Sequence, residues 1–158
     1  MNSYEVKYKI AEYFRSKRQA SLVLFERGLP YCDGNPDVLI VTPERKLIEV
    51  EVKVSWADFK NDAKKYKWRM KNNYGHQEHV FYYGAPIELA SRIAAVTEHG
   101  VIQVGRYQSE TLVLKKARRC DAVISHKQFW ELVRHQTGTF LSVMRKYIEL
   151  SKEKDAGK

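Results

Sequence analysis

Charged side chains interrupt two apolar segments in the first half of the chain, the first of which, DVLIVT, begins with Asp37. In the second segment, LIEVEVKV, Glu49, Glu51 and Lys53 alternate with apolar residues. Side chains alternate between the two faces of a β-strand, so these three charged residues share one face. The opposite face carries the apolar residues that are predicted to enter the core, Ile48, Val50, Val52 and Val54.

This row of charges suits a divalent metal if Asp37 starts a strand beside the one that carries Glu51. Two neighbouring carboxylates repel each other unless a cation lies between them. Mg²⁺ prefers oxygen ligands and is commonly bound by one or two carboxylates together with a substrate phosphate. Lys53 would add a positive charge and a hydrogen-bond donor, and such a site can activate water against a phosphodiester. The residues alone leave a second interpretation open, a solvated strand face on which Glu and Lys side chains pair.

The surrounding pattern predicts the elements that position these residues. Six segments have the composition of strands, namely SLVLFERGL, DVLIVT, LIEVEVKV, HVFYYG, GVIQVGRY and TLVLKKA. Turn residues in YCDGNP and PERK separate the first three, which predicts an antiparallel three-strand meander. With four predicted helices the order is α-β-β-β-α-β-α-β-β-α, which is typical of a mixed α/β sheet with helices on its faces.

Helical spacing of apolar residues predicts the four helices. The first extends from Ser3, which can cap it, to about Lys17. The second is long and begins at Ser55, where the segment SWAD has the S-x-x-D pattern of a helix start. The segment PIELASRIAAV has the spacing of a third helix and begins with a proline.

The last helix is predicted from Ser125 to about Leu150, and Gly138 within it favours a kink or a break. Residues at alternating steps of four and three, all of them apolar except Gln136, form a seam, Phe129, Val133, Gln136, Phe140, Val143, Tyr147 and Leu150. Such a seam packs either against the sheet of the same chain or against a second copy, so a homodimer stays open as an alternative. Residues 151–158 are predicted to form a frayed tail.

The composition predicts one domain over residues 1–150 and an anionic partner. The chain has 158 residues, with 28 Lys and Arg against 19 Asp and Glu, which gives a net charge of +9. An excess of this size suggests a polyanionic partner, most often nucleic acid and sometimes an anionic membrane. Two cysteines without a CxxC pattern favour a reducing compartment. No apolar run approaches the roughly 20 residues that span a bilayer, so a cytoplasmic protein without a membrane partner is expected.

Pro36-Asp37 followed by Glu51-Val52-Lys53 resembles the signature of the PD-(D/E)XK nuclease superfamily. The predicted order of helix, three-strand meander, helix and strand is similar to the core of its restriction-endonuclease-like fold. The resemblance implies that Asp37 and Glu51 bind the metal, Mg²⁺ or Mn²⁺, with the backbone carbonyl of Val52 as a further ligand. It also implies that Lys53 assists the attacking water or the transition state.

Two further acids are weaker candidates for the same acidic shell. Glu49 shares the face of Glu51 but has no lysine two residues further on. Glu26 ends the first predicted strand, which resembles a strand of the MmcB-like, DNA-repair-associated branch of the superfamily. The stretch EVEVKVSWADFKNDAKKYKW is similar to the pattern VEIKSS-x-x-DF-x-x-D-x-KW of that branch. The inserted KYKWRMKNNYGHQEH and the Asn-Pro before Asp37 depart from the branch.

The resemblance implies a metal-dependent endodeoxyribonuclease that acts in DNA repair, recombination, or phage or defence DNA processing. Two alternatives stay open, a nucleic-acid-binding module that keeps the fold without cutting and an RNA-directed nuclease on the same scaffold. A basic stripe on the second helix could contact successive phosphates or form a solvated helix face, and it consists of Lys60, Lys64, Lys67 and Lys71. A second basic cluster between Lys115 and Arg119 could extend a DNA surface.

Overall fold

Six strands form one mixed sheet and lie side by side in chain order. The computed structural model describes residues 1–26, 35–62 and 79–156, with only the backbone described for residues 79 and 147–156. The strands are β1 (Leu22–Phe25), β2 (Val38–Val41), β3 (Leu47–Val52), β4 (His79–Pro86), β5 (Gly100–Val104) and β6 (Leu112–Lys115). The helices are α1 (Ser3–Ser16), α2 (described over residues 56–62), α3 (Ile87–Val96) and α4 (His126–Ala156).

The predicted antiparallel meander is confirmed, because β1 pairs antiparallel with β2 and β2 pairs antiparallel with β3. Strand β4 then lies parallel to β3, β5 lies parallel to β4, and β6 returns antiparallel to β5. Parallel neighbours need crossover connections, and α2 and α3 lie in those two connections. The predicted turn YCDGNP lies mostly outside the described residues, as does the predicted continuation of α2.

Helices cover both faces of the sheet, as predicted for this fold class. On one face α1 contributes Val6, Ile10 and Phe14 to an apolar layer whose strand residues include Val23, Val38, Ile40, Val50, Val52, Ile102 and Val104. On the other face α2 and α3 contribute Phe59 and Ile93 to a second layer, which contains the strand residues Tyr83, Ala85 and Val101. The sheet therefore separates two cores, and each charged residue of β3 must lie on one side or the other.

Two local predictions near the candidate residues are wrong in detail. Helix α1 is capped by Asn2 rather than Ser3, because the Asn2 side chain accepts from the backbone N–H of Glu5 and the Glu5 side chain accepts from that of Asn2. Strand β3 ends at Val52, and Val54, which was predicted to enter the core, is 40% exposed. The reason is that the chain leaves the sheet after β3 to begin α2 at residue 56.

Helix α4 is longer and more regular than the sequence predicts. It continues through Gly138 without a break, since one glycine in a helix costs only about 1 kcal/mol relative to alanine. It ends at Ala156, so the predicted frayed tail is helical as far as that residue. Lys, Glu and Ala, which dominate this stretch, are good helix formers.

The chain forms two compact units, Met1–Val123 with the whole sheet and Ile124–Lys158 with α4. The single domain predicted over residues 1–150 stays a prediction. In the part of the chain that the structure describes, no helix is both long and apolar enough to cross a membrane.

Candidate active site at the ends of β2 and β3

Asp37 and Glu51 face each other where β2 begins and β3 ends. The two strands pair Val38 with Val50, so the next residues in the same register are Asp37 and Glu51. On the other side of β3, Glu51 lies beside Tyr83 of β4, which belongs to the apolar layer under α2 and α3. The row of charges expected from side-chain alternation therefore lies on the face that α2 and α3 cover.

A proline ends the β2–β3 ladder at this point. In the same register the residue opposite Val52 is Pro36, which has no N–H to donate. The N–H of Val52 donates instead to Asp37 Oδ2 at 2.8 Å. The N–H and C=O of one residue point to the same edge of a strand, so the Val52 carbonyl also points toward the start of β2, where Pro36 offers it no donor.

Lys7 of α1 is the second partner of Asp37. Its ammonium group lies 2.7 Å from Asp37 Oδ1 and 2.8 Å from Glu26 Oε1, and the residue is only 8% exposed. Burial by itself lowers the pKa of Lys7, but the hydrogen bonds and charges of Asp37 and Glu26 outweigh burial and raise that pKa. Lys7 is therefore a buried cation within the acidic site.

No prediction from the sequence included Lys7, because both of its acidic partners are distant in the chain. One indication was present in the first helix. Lys7 precedes Ile10 by three residues and Phe14 by seven, so it shares the buried face of α1 with them. A lysine on a buried helix face implies an acidic partner, because an unpaired buried charge is costly.

Lys53 is the centre of a second group of ion pairs. Its ammonium group lies 3.1 Å from Glu51 Oε1, 3.5 Å from Asp62 Oδ2 and 3.9 Å from Asp58 Oδ1. Helix α2 positions two of these acids, since it begins directly after β3, with Ser55 Oγ accepting from the N–H of Asp58. The predicted helix start at Ser55 is confirmed.

The environment of Glu51 favours its protonated form. Burial is the largest effect that raises the pKa of Glu51, and the charges of Asp37 and Asp62 raise it further, against the lowering effect of Lys53. A carboxyl group with a pKa raised in this way is typical of functional sites. The group contains five acidic side chains and two ammonium groups, those of Lys7 and Lys53, so acids outnumber cations within it.

The other predicted acids lie at the margin of this group. Glu26 follows β1 with a positive φ of 52°, and its side chain is 60% exposed, so Glu26 joins the site through its ion pair with Lys7. Glu49 lies on the same face as Glu51 but two residues further into the sheet, beside Phe81 of β4. Asp37 and Glu51 lie opposite each other at the ends of β2 and β3, whereas Glu26 follows β1 and Glu49 lies opposite Leu39.

The two predicted basic surfaces are only partly described. Lys60 is exposed on α2, whereas Lys64, Lys67 and Lys71 lie outside the described residues. Lys115 of the second cluster donates to the carbonyl oxygens of Ala94 and Thr97 at the end of α3, so it serves that helix end rather than a DNA surface. The exposed members of the second cluster are Lys116, Arg118 and Arg119.

The acidic group has the residue types for a metal site but no complete set of acidic ligands. Among the described residues, no three His, Cys, Asp or Glu side chains are grouped so that they could hold a metal ion. A metal at Asp37 and Glu51 would therefore need other oxygen ligands, such as a backbone carbonyl, water or a substrate phosphate.

The chain is similar in fold to a protein of solved structure. No known protein family matches the chain, and no curated protein matches it. A solved structure of SPO1766, a protein of unknown function from Silicibacter pomeroyi, is similar with a TM-score of 0.63. The similarity covers 92% of each chain at 17% sequence identity, and at this identity it concerns the fold alone.

Proposed function

We propose that the protein is a metal-dependent nuclease that hydrolyses phosphodiester bonds of DNA. The observation that carries the proposal is the position of Asp37 opposite Glu51 where the β2–β3 ladder ends. The ammonium group of Lys53 lies 3.1 Å from Glu51 Oε1 at the same place. The resemblance to PD-(D/E)XK nucleases rests on these three residues. The element order α1-β1-β2-β3-α2-β4 agrees with the core that this resemblance implies.

The oxygen atoms at this point fit Mg²⁺ or Mn²⁺. Mg²⁺ takes one or two carboxylates and keeps several waters, so Asp37 and Glu51 suffice without a third acid. Each carboxylate oxygen has two lone pairs, so Asp37 can bind a metal as well as accept from Lys7 and from the N–H of Val52. The Val52 carbonyl, which points to the same end of the ladder, would be the further protein ligand.

The chain's own residues would prepare this site for hydrolysis. When bound, the metal supplies a Lewis acid and lowers the pKa of water. Lys53 opposes the effect of burial on the pKa of Glu51 and so favours the ionised carboxylate that a metal requires. Lys7 and the Val52 N–H hold the two oxygens of Asp37. The Lys53 side chain is 5% exposed, and its ammonium group lies 3.1 Å from Glu51 Oε1. We therefore assign Lys53 two roles, which are to position Glu51 and to stabilise negative charge at the transition state.

DNA is the proposed substrate because the protein is basic outside this site. The net charge of the chain is +9 although the site itself holds more acids than lysines. Lys60 is exposed on the helix that carries Asp58 and Asp62, where it would neutralise a phosphate near the site. DNA repair, recombination, and phage or defence DNA processing are the proposed settings. The proposed compartment is the cytoplasm, because two cysteines without a CxxC pattern favour a reducing compartment.

A nucleic-acid-binding module without catalysis is the second candidate. It is favoured by Lys7, whose ammonium group lies 2.7 Å from the carboxylate that a metal would need. In such a module the lysines and acids would form an ion-pair network that holds α1 and α2 to the sheet. Nucleic acid would then bind to exposed cations elsewhere on the protein.

A panel of substrates separates the two candidates. Wild-type protein and Glu51→Gln are incubated with Mg²⁺ or Mn²⁺ and with duplex, single-stranded, nicked, flapped and branched DNA, and with RNA. The proposed nuclease predicts metal-dependent cleavage of at least one DNA by the wild type and loss of that cleavage in the variant. Binding of DNA without cleavage would favour the binding module, and cleavage of RNA alone would replace DNA as the substrate.

A further inference from the structure

A cleft of about 730 Å³ lies on the α1 side of the sheet, away from the proposed metal site. It is bordered by the end of α1, by the turn between β2 and β3, and by the segment after β6. The cleft lies at the start of β3, whereas Asp37 and Glu51 lie at its end. From Leu47 to Val52 the strand covers about 17 Å, at roughly 3.3 Å per residue.

The floor of the cleft is aromatic. Tyr82 of β4 is half-buried, and its ring lies so close to Gly100 that a Cβ at that position would collide with it. Gly100 thus leaves room for the ring to lie across the sheet. Tyr13 forms part of the wall, and Arg18 lies over its ring at 5.7 Å and donates from Nε to its hydroxyl at 3.1 Å. The backbone at Gly100 therefore lies against the Tyr82 ring, and this ring lines the cleft.

Positive charges outnumber negative charges around the cleft. One acid, Glu44, lines it, together with five basic side chains, Arg18, Lys46, Lys116, Arg118 and Arg119. Asp121, which lies next to the cleft, pairs with Lys46 at 3.2 Å and with Arg119 at 2.9 Å. Within the described ranges, Lys116 and Arg118 have no acid at ion-pair distance, so their charges are left for a ligand.

We propose that this cleft binds a nucleotide, with its phosphate on Lys116 and Arg118 and its base on the ring of Tyr82. Cations that follow phosphates and aromatic rings that stack on bases are the groups that bind unpaired nucleotides in proteins. The volume lies within the roughly 300–1,000 Å³ of small-molecule sites. The same chemistry accepts a free nucleotide or one nucleotide of a single strand. The proposal does not rest on the nuclease, because the cleft and Glu51 lie at opposite ends of β3.

Calorimetric titrations of wild-type protein in the presence of a metal chelator separate this binding from any cleavage. The titrants are adenosine monophosphate, a short oligothymidylate and inorganic phosphate. We expect at least one of the two nucleotide ligands to bind, and the tighter one identifies whether the cleft takes a free nucleotide or a strand. Inorganic phosphate should bind about ten-fold more weakly, because it cannot stack on Tyr82.

Variants of the lining test the two halves of the site. Lys116→Gln combined with Arg118→Gln should weaken binding of nucleotide and of phosphate by about ten-fold. Tyr82→Leu should weaken binding of nucleotide alone, since it removes the ring and keeps an apolar side chain. Arg106→Gln removes an exposed cation outside the cleft and should change neither affinity.

Three results would overturn the proposal. The first is a wild-type protein that binds neither nucleotide ligand. The second is equal nucleotide affinity in the wild type and in the Lys116→Gln/Arg118→Gln variant, with both folded by circular dichroism. The third is unchanged nucleotide affinity in Tyr82→Leu, which would reduce the cleft to a site for simple anions.

Discussion

The N–H of Val52 donates to Asp37 Oδ2 at 2.8 Å, which joins the backbone of β3 to the side chain that precedes β2. Pro36 lies opposite Val52 and cannot complete the ladder, so the side chain of Asp37 takes the place of a backbone partner. Lys7 binds the other oxygen of Asp37 at 2.7 Å. The orientation of this candidate metal ligand is therefore set by contacts within the chain.

Replacing Asp37 with asparagine is expected to destabilise the fold by about 1.5–3 kcal/mol, the usual contribution of hydrogen bonds to a charged group. Val52 and Lys7 contact different oxygens of Asp37, and the amide puts an NH2 group in place of one of them, so one of the two contacts is lost. Urea unfolding measures the change, and Glu26→Gln is the matched control. Glu26 is the 60% exposed partner of Lys7, and exposed ion pairs contribute about 0–1 kcal/mol. Equal losses in the two variants would contradict a special role of the Val52–Asp37 contact.

Removing the charge of Lys7 is expected to tighten metal binding. Its ammonium group lies 2.7 Å from Asp37 and therefore repels a cation that binds the same carboxylate. For Lys7→Met we expect the dissociation constant of Mn²⁺ to fall about ten-fold, which corresponds to about 1.4 kcal/mol. Isothermal titration calorimetry measures it, with Lys17→Met at the exposed end of α1 as the control. Weaker binding in Lys7→Met would show instead that Lys7 serves the metal by orienting Asp37.

The raised pKa of Glu51 predicts that stability depends on pH. The folded state holds the Glu51 proton to a higher pH than the unfolded chain does, so stability falls as the pH rises from the ordinary value of 4.5 through the folded pKa. Glu51→Gln should therefore raise the melting temperature at neutral pH, by about 2–4 °C for each kcal/mol of penalty removed. The difference should disappear below pH 4.5, where Glu51 is protonated in both states.

Scanning calorimetry in metal-free buffer across this pH range checks the prediction. The sign at neutral pH decides between two effects on Glu51, burial and pairing with Lys53. A melting temperature of Glu51→Gln below that of the wild type at neutral pH would mean that the ion pair with Lys53 outweighs burial.

Helix α4 is expected to pair with a second copy of the chain. Residues 134–146 are all exposed, and they include the two apolar seam residues Phe140 at 62% and Val143 at 59% exposure. Exposed apolar surface of this kind marks interaction sites. Alternating steps of four and three suit the packing of two helices with the same seam.

Size-exclusion chromatography with light scattering should give a dimer for the wild type and a monomer for the Phe140→Lys/Val143→Lys variant. Leu141→Lys is the matched control, because Leu141 is 61% exposed but lies beside the seam. A monomeric wild type would exclude the dimer. Dissociation by Leu141→Lys to the same extent would exclude this seam as the contact.

The sheet could be predicted from local patterns because its first three strands are close neighbours in the chain. Two turns and three apolar segments define the meander, and side-chain alternation places Glu51 on one face of β3. The end of β3 could not be predicted in the same way. Val54 continues the apolar alternation, but the start of α2 takes it out of the sheet.

The partners of the lysines could not be predicted, because they depend on how helices pack against the sheet. Lys7 reaches Asp37 only once α1 lies on one face, and Lys53 meets Asp62 only once α2 turns back over the other. Lys115 belongs to the predicted basic cluster, but two of its three N–H donors are taken by carbonyl oxygens at the end of α3. Local periodicity carries no information about these contacts between distant segments.

The rate of phosphodiester cleavage in DNA, measured with and without Mg²⁺ for wild type and Glu51→Gln, tests the proposed function most directly. The proposed function predicts cleavage by the wild type that requires the metal. It predicts a rate lower by about 10²–10³-fold in Glu51→Gln, as for the loss of one group that stabilises transition-state charge, with DNA affinity retained. Cleavage by Glu51→Gln at the wild-type rate, or no metal-dependent cleavage by the wild type, would contradict it.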